Sequence, residues 1–257
     1  MSYKITIIGA GNLAWNLAHS LHHNGQTVLQ IISQHLNHSN ALAKEVNALA
    51  DTNLSNIDPA ADMVLLCVKD SAIASIAAQL NLGQQVVAHC SGSTPIDVLN
   101  KSSYQYGVFY PVQSFNKNAL KDFLNIPLCI EGNNSTSEEK LSILADRISN
   151  HVYRMDSAKR LQLHLAAVFA NNFTNYLYGT AYELLEANKL PVNLLHPLLT
   201  AALEDAMKQN PHKIQTGPAK RNDTGVINKH LELLQNNAEA KEVYELLTAL
   251  IQKKHNT

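Results

Sequence analysis

Apolar and polar positions follow two regimes along the chain. Up to about residue 156, short apolar runs recur, most of them rich in β-branched residues: 5–8, 27–32, 62–68, 85–89, 106–110, 126–130 and 152–155. Runs of this length bounded by turn residues predict buried strands. Asp62-Met63-Val64-Leu65-Leu66-Cys67-Val68 is almost wholly apolar, as expected of a central parallel strand covered on both faces. Between the first two runs, Leu13, Leu17 and Leu21 recur every fourth residue and predict a helix that Gly25 ends. Further helices are predicted over about 40–49, 70–80 and 137–149, with Asp70 as a candidate N-cap. Alternating strands and helices predict an α/β domain over residues 1–156, with a parallel sheet and helices on both faces.

Beyond residue 156 the strands stop. Residues 159–187 carry one helical pattern without Pro, about 40 Å long at the rise of an α-helix. Leu165, Phe169, Phe173 and Tyr176 mark its apolar face, and His164, Asn171 and Asn175 a second line at i, i+7 and i+11, with Asn172 between the two. Helices follow at about 191–207, interrupted by Pro197, then at 224–234 and 240–253. The pattern predicts an all-α domain over residues 157–257.

The first strand runs directly into Gly9-Ala10-Gly11-Asn12-Leu13-Ala14. A Gly-x-Gly-x-x-Ala turn that leaves a strand and opens a helix is a dinucleotide-binding fingerprint of the Rossmann type. Gly9 suits the tight turn, Gly11 lets a pyrophosphate approach the backbone, and Ala14 allows close helix–strand packing. The amides of Asn12 and Leu13 open the helix and face the phosphates. In such sheets ligands lie beyond the carboxyl ends of the strands, which assigns Val68 and Lys69 to the same site. The second strand ends in Ser33-Gln34-His35, and the first acid after it is Glu45. A ribose 2′-phosphate meets no carboxylate there and finds donors in Ser33 and Gln34, so NADP is favoured over NAD; a flavin or deazaflavin is the remaining alternative.

Three further polar clusters are candidates for substrate chemistry. Ser91 and Ser93 follow the strand at 85–89, where a nicotinamide ring would lie, and either can hold a carbonyl or cap the next helix. Gln113 follows the strand at 106–110. Residues 215–224 combine Thr216, a Gly-Pro turn, Lys220, Arg221 and Asp223, a loop suited to clamping an anionic substrate, or a linker whose Asp223 caps the next helix. Composition narrows the class. With 257 residues, 46% hydrophobic, 16% charged and a net charge of −1, the chain has no basic field to attract nucleic acid. No apolar stretch is long enough to cross a bilayer. Cys67, Cys90 and Cys129 are widely spaced in apolar segments and read as buried thiols of a cytoplasmic protein, and no Cys/His spacing suggests a metal site.

Taken in order, these motifs resemble the two-domain family that pairs a Rossmann-like NADP-oxidoreductase domain with an all-helical domain of unknown function (DUF2520). The resemblance covers nearly the whole chain. It rests on the Gly9–Ala14 fingerprint, on residues 89–93 and 110–115, on His164-Leu165-Ala166-Ala167-Val168-Phe169-Ala170-Asn171-Asn172-Phe173, and on Thr216-Gly217-Pro218-Ala219 with Arg221 and Asp223. That family is similar to pyrroline-5-carboxylate reductases, ketopantoate reductases and 3-hydroxyacid dehydrogenases. The resemblance implies NADP binding and dimerisation through the C-terminal helices, but no substrate. The leading expectation is an NADP-dependent oxidoreductase acting on a small carbonyl, imine or hydroxy compound at an interdomain cleft. The related hydroxyacid dehydrogenases carry a Lys and an Asn on the interdomain helix; here no Lys stands between Lys159 and Lys189. Proton transfer therefore falls to His164 or to the Lys220/Arg221 loop. Asn172 and Ser91 are assigned to polarising the substrate, and Gln113, Asn171, Thr216 and Arg221 to binding it. The missing Lys motivates an alternative, a non-catalytic dinucleotide-binding regulatory or scaffold protein.

Overall fold

The structure is a computed structural model and describes residues 2–255. The chain divides into two compact units, the first ending at Ala170 and the second starting at Asn171.

The first unit contains β1 (Lys4–Ile8), α1 (Asn12–His23), β2 (Thr27–Ile32), α2 (Leu36–Glu45), β3 (Leu49–Asp51), β4 (Met63–Leu66), α3 (Asp70–Ala77), β5 (Val86–His89), β6 (Gln105–Pro111), β7 (Leu128–Gly132), α4 (Ser135–Asp146), β8 (Val152–Arg154) and α5 (Ser157–Ala167). The strands form one sheet in the order β3-β2-β1-β4-β5-β6-β7-β8. Side chains alternate across it. Ile5, Ile7, Met63 and Leu65 enter one core, and Ile8, Val64 and Leu66 enter the other. The expected α/β sheet with both faces covered is what the chain builds.

Four details depart from the sequence expectations. The pair β6–β7 is antiparallel, whereas every other neighbouring pair is parallel. A parallel return needs a crossover, usually helical, and residues 112–127 form a loop containing only a bridge between Asn116 and Ala119. The helix expected at 40–49 starts earlier, at Leu36, and stops at Glu45. Asn47 then takes a left-handed φ of 54°, a conformation Asn tolerates, and the chain enters β3, an edge strand too short to show a period. Asp70 is not the N-cap of α3; Lys69 occupies that position, and the Asp70 carboxylate instead accepts the Ser93 hydroxyl at 2.5 Å.

The fourth concerns the long helix. A π-helical turn over Val168–Phe173 separates α5 from α6 (Thr174–Ala187). Its wider i→i+5 turns offset the i, i+7, i+11 alignment of His164, Asn171 and Asn175, which presupposes unbroken α geometry. The boundary between the units falls inside this turn, and α5 belongs with the sheet. Leu163 packs against the cluster of Val108, Tyr110 and Cys129. Arg160 is fully buried: it pairs with Glu131 of β7 and donates to the Thr94 carbonyl and to Ser157 Oγ.

The second unit holds α6, α7 (His196–Lys208), α8 (Thr224–Leu233) and α9 (Ala238–His255). Pro197 lies in the first turn of α7, after a 3₁₀ turn at Val192–Leu195, where a missing N–H is harmless. Asp223 caps α8, accepting from the Val226 amide at 3.1 Å. Few apolar side chains of this unit are buried, among them Ile227 and Leu234, while Leu198, Leu203, Met207, Leu246 and Leu250 are more than half exposed. Among the described residues no helix is long and apolar enough to cross a membrane.

Candidate dinucleotide site

The first unit carries a groove of about 1200 Å³ at the carboxyl ends of β1, β2 and β4. Two glycines shape it for different reasons. Gly9 has a φ of +120°, and a Cβ there would lie 2.2 Å from the Cys67 carbonyl oxygen, so the protein itself demands glycine. Its amide donates to the Ile32 carbonyl at 2.7 Å, joining the turn to β2. Gly11 is the N-cap of α1, with a φ of −84° that any residue adopts. Nothing lies within 4 Å of a Cβ built on it. No packing or backbone constraint asks for glycine at position 11; the groove does, because a side chain there would occupy the mouth of α1. No side chain caps α1 and its first turn holds no acid, so its opening amides and positive dipole end face the groove. These features fit a pyrophosphate.

Gly9, Ala10, Gly11, Asn12, Leu13, Ser33, Gln34, Val68 and Lys69 all line this groove. So do His35, His38 and Lys117, whereas no Asp or Glu does. The lining is therefore cationic or neutral throughout. At the end of β2, Ser33 is folded into a turn, exchanging hydrogen bonds with the His35 carbonyl and amide. Asp51, at the end of β3, stands beside this turn, its carbonyl accepting the Ser33 amide at 3.1 Å. Its carboxylate accepts from the amides of Asn53 and Thr52 and from the Asn56 side chain, and these bonds, the Asn53 amide first, hold it below the usual carboxylate range. Asp51 is thus committed to its own turn and does not line the groove. Sequence reasoning passed over it because β3 itself was missed.

A second cluster lies at the carboxyl ends of β5 and β6. Tyr110 Oη and His164 Nδ1 are 3.1 Å apart, and their rings meet edge to face with centroids 5.9 Å apart. Burial pushes the Tyr110 phenol up, so it stays a neutral hydroxyl. Gly92 backs onto this pair, since a Cβ there would lie 2.7 Å from His164 Nδ1. Ser91 is buried, and its Oγ accepts from the Ser93 and Thr94 amides at 3.1 and 3.0 Å. It ties the turn after β5, and it lies 3.5 Å from Ser93 Oγ, whose own hydrogen goes to Asp70. Beneath it His89 accepts the Ser91 amide at Nδ1; burial, helped by the Arg160 guanidinium, depresses its pKa to about 4. The carbonyl oxygen of Gln113 accepts from the Lys121 ammonium at 3.0 Å and from the Ser114 amide at 2.9 Å.

The remaining predicted residues belong to the second unit. Asn171 and Asn172 stand in the π turn, and Thr216 and Arg221 in the loop before α8; all four are exposed. Tyr110, Arg160 and Lys117 went unassigned in the sequence. The pairing of Tyr110 with His164 spans 54 positions, and no local pattern announces it; the signals at Tyr110 were the apolar strand it ends and the 110–115 motif of the family resemblance.

Comparison with known proteins adds to this geometry. Residues 4–93 match the family model described as NADP oxidoreductase, coenzyme F420-dependent, and residues 126–251 match DUF2520. No curated protein matches the chain. Among solved structures, a Bacteroides fragilis protein described as a "putative NADP oxidoreductase" is 37% identical over 98% of both chains, with a TM-score of 0.93. A Thermotoga maritima protein is 24% identical over 98% of this chain and 100% of its own, with a TM-score of 0.80. The 1-pyrroline-5-carboxylate reductase of Streptococcus pyogenes shares the fold at 15% identity, over 98% of this chain and 99% of its own, with a TM-score of 0.65.

Proposed function

The chain belongs to the family that joins a coenzyme F420-dependent type of NADP oxidoreductase domain to DUF2520, and on that premise we propose that it is an NADP-dependent oxidoreductase acting on a small carbonyl, imine or hydroxy compound. The observation that carries the reading is the groove at α1: acid-free, open at Gly11, and lined by Lys69, Lys117, His35 and His38. Gly9–Leu13 would hold the pyrophosphate, Val68 and Lys69 would border it, and Ser33 and Gln34 would meet the 2′-phosphate. When bound, the nicotinamide supplies or accepts the hydride.

The chain's own residues move the proton and orient the substrate. An imidazole suits proton transfer at neutral pH, and His164 has that role here. In this reading the neutral Tyr110 hydroxyl donates to Nδ1, which leaves the ring proton on Nε2, available to a substrate oxygen or nitrogen. Ser91 polarises the substrate and Gln113 joins in binding it; the substrate roles expected of Asn171, Asn172, Thr216 and Arg221 rest on the family resemblance. Titration with NADPH, followed by a screen of carbonyl and imine pools for loss of reduced-nicotinamide absorbance, tests the reading. His164→Ala should then lower turnover on the substrate found by roughly 100-fold or more; unchanged turnover removes His164 from the chemistry.

One observation favours a second reading, a dinucleotide-binding regulatory or scaffold protein: no Lys stands between Lys159 and Lys189. NADPH binding without oxidation by any pool would select it. The exposed apolar faces of α7 and α9 support a homodimer through the C-terminal helices. Three free, buried cysteines suit a reducing compartment such as the cytoplasm.

A further inference from the structure

One wall of the groove comes from outside the dinucleotide fingerprint. The loop that follows β6 is fastened to α1 by two asparagines. Asn12 Oδ1 accepts the Lys117 amide at 3.1 Å. Asn16 is 1% exposed inside α1; its Nδ2 donates to the Asn116 carbonyl at 3.1 Å and to the Asn12 carbonyl at 2.8 Å, and its Oδ1 accepts the Lys121 amide at 2.8 Å. Asn is a poor choice for a helix interior, and a buried amide is tolerated only when its hydrogen bonds are made. Here two of the three are made to the loop, so the helix sacrifices propensity to hold residues 116–121 in place.

What this latch delivers is Lys117. Its main chain is pinned to the side chain of Asn12, the first residue of α1, and it lines the groove beside Gly11 and Asn12. The lining offers it no carboxylate, and its ammonium enters no ion pair among the described residues. The helix opening beside it presents amides and a positive dipole end, so two sources of positive potential converge where no protein anion answers them. The Ser33, Gln34, His35 and His38 group, in contrast, lies at the end of β2 and the start of α2.

We propose that Lys117 is a pyrophosphate-binding residue of the dinucleotide site, carried to the mouth of α1 by the Asn12–Asn16 latch. The proposal rests on the oxidoreductase reading above. Because the pyrophosphate is common to NADPH and NADH, it separates Lys117 from any residue that reads the 2′-phosphate.

The test is a calorimetric titration of NADPH and of NADH into the full-length wild type, Lys117→Gln and Lys117→Arg, at two salt concentrations. Lys117→Gln keeps the backbone bond to Asn12 and should raise both Kd values by a similar factor, roughly ten-fold, with a shallower salt dependence; Lys117→Arg should stay close to wild type. An unchanged Kd for both ligands in Lys117→Gln overturns the proposal while leaving the oxidoreductase reading intact. A loss confined to NADPH also overturns it, moving Lys117 to the 2′-phosphate. A wild type that binds neither dinucleotide removes both the proposal and the reading it rests on.

Discussion

Two glycines two positions apart do different work, and single substitutions separate them. Gly9→Ala forces a Cβ to within 2.2 Å of the Cys67 carbonyl at a φ of +120°, and should destabilise the fold by about 1–3 kcal/mol or more, read as a fall in Tm without ligand. Gly11→Ala meets open space at an ordinary φ, and should cost the fold at most about 1 kcal/mol while weakening NADPH by about 1–3 kcal/mol. Equal effects of the two on Tm would contradict the assignment. His89 adds a pH dependence. Its pKa falls from 6.5 to about 4 on folding, so the unfolded chain binds more protons between those values. Stability from this group is complete above pH 6.5, declines as pH falls, and levels off near pH 4, a loss of about 3 kcal/mol in all. His89→Gln should flatten that limb of a denaturation series. The roles of Gly9 and Gly11 were legible in the sequence because a local turn chemistry specifies them. Tyr110 and Lys117 were not, because their partners lie 54 and 105 positions away.

At the scale of elements, the apolar runs revealed strands but not their direction. The strand at 126–130 was visible, yet β7 runs antiparallel to β6 because the intervening segment folds as a latch onto α1 instead of a crossover helix. β3 escaped notice as a three-residue edge strand. The π turn escaped for a related reason: Val168–Phe173 keeps an apolar periodicity that reads as α-helix, and nothing in its composition marks the wider turn. The docking of α5 depends on a buried charge. Arg160 is 1% exposed and its Nε has no partner among the described residues, but its other nitrogens reach Glu131, Thr94 and Ser157. Arg160→Leu strands the Glu131 carboxylate and should cost about 3–5 kcal/mol, measured by urea denaturation. The double variant with Glu131→Leu should recover much of that loss, whereas additive losses would show that the pair itself is not what holds α5.

For the molecule as a whole, composition and the two regimes of periodicity indicated an α/β domain followed by helices, and the structure has that order. What the sequence could not convey is how little of the second unit's apolar surface a single chain covers. Leu198, Leu203, Met207 and Leu250 are more than half exposed, and the homodimer proposed above would cover them. Light scattering should return twice the monomer mass, and Leu203→Glu with Met207→Glu should shift it toward monomer. The central claim remains the dinucleotide groove at α1. Its most direct test is calorimetry of the purified full-length protein with NADPH and NADH in parallel. Saturable 1:1 binding per chain, tighter for NADPH and weakened in Gly11→Ala, is the predicted result. Absence of heat with both ligands would contradict the oxidoreductase reading.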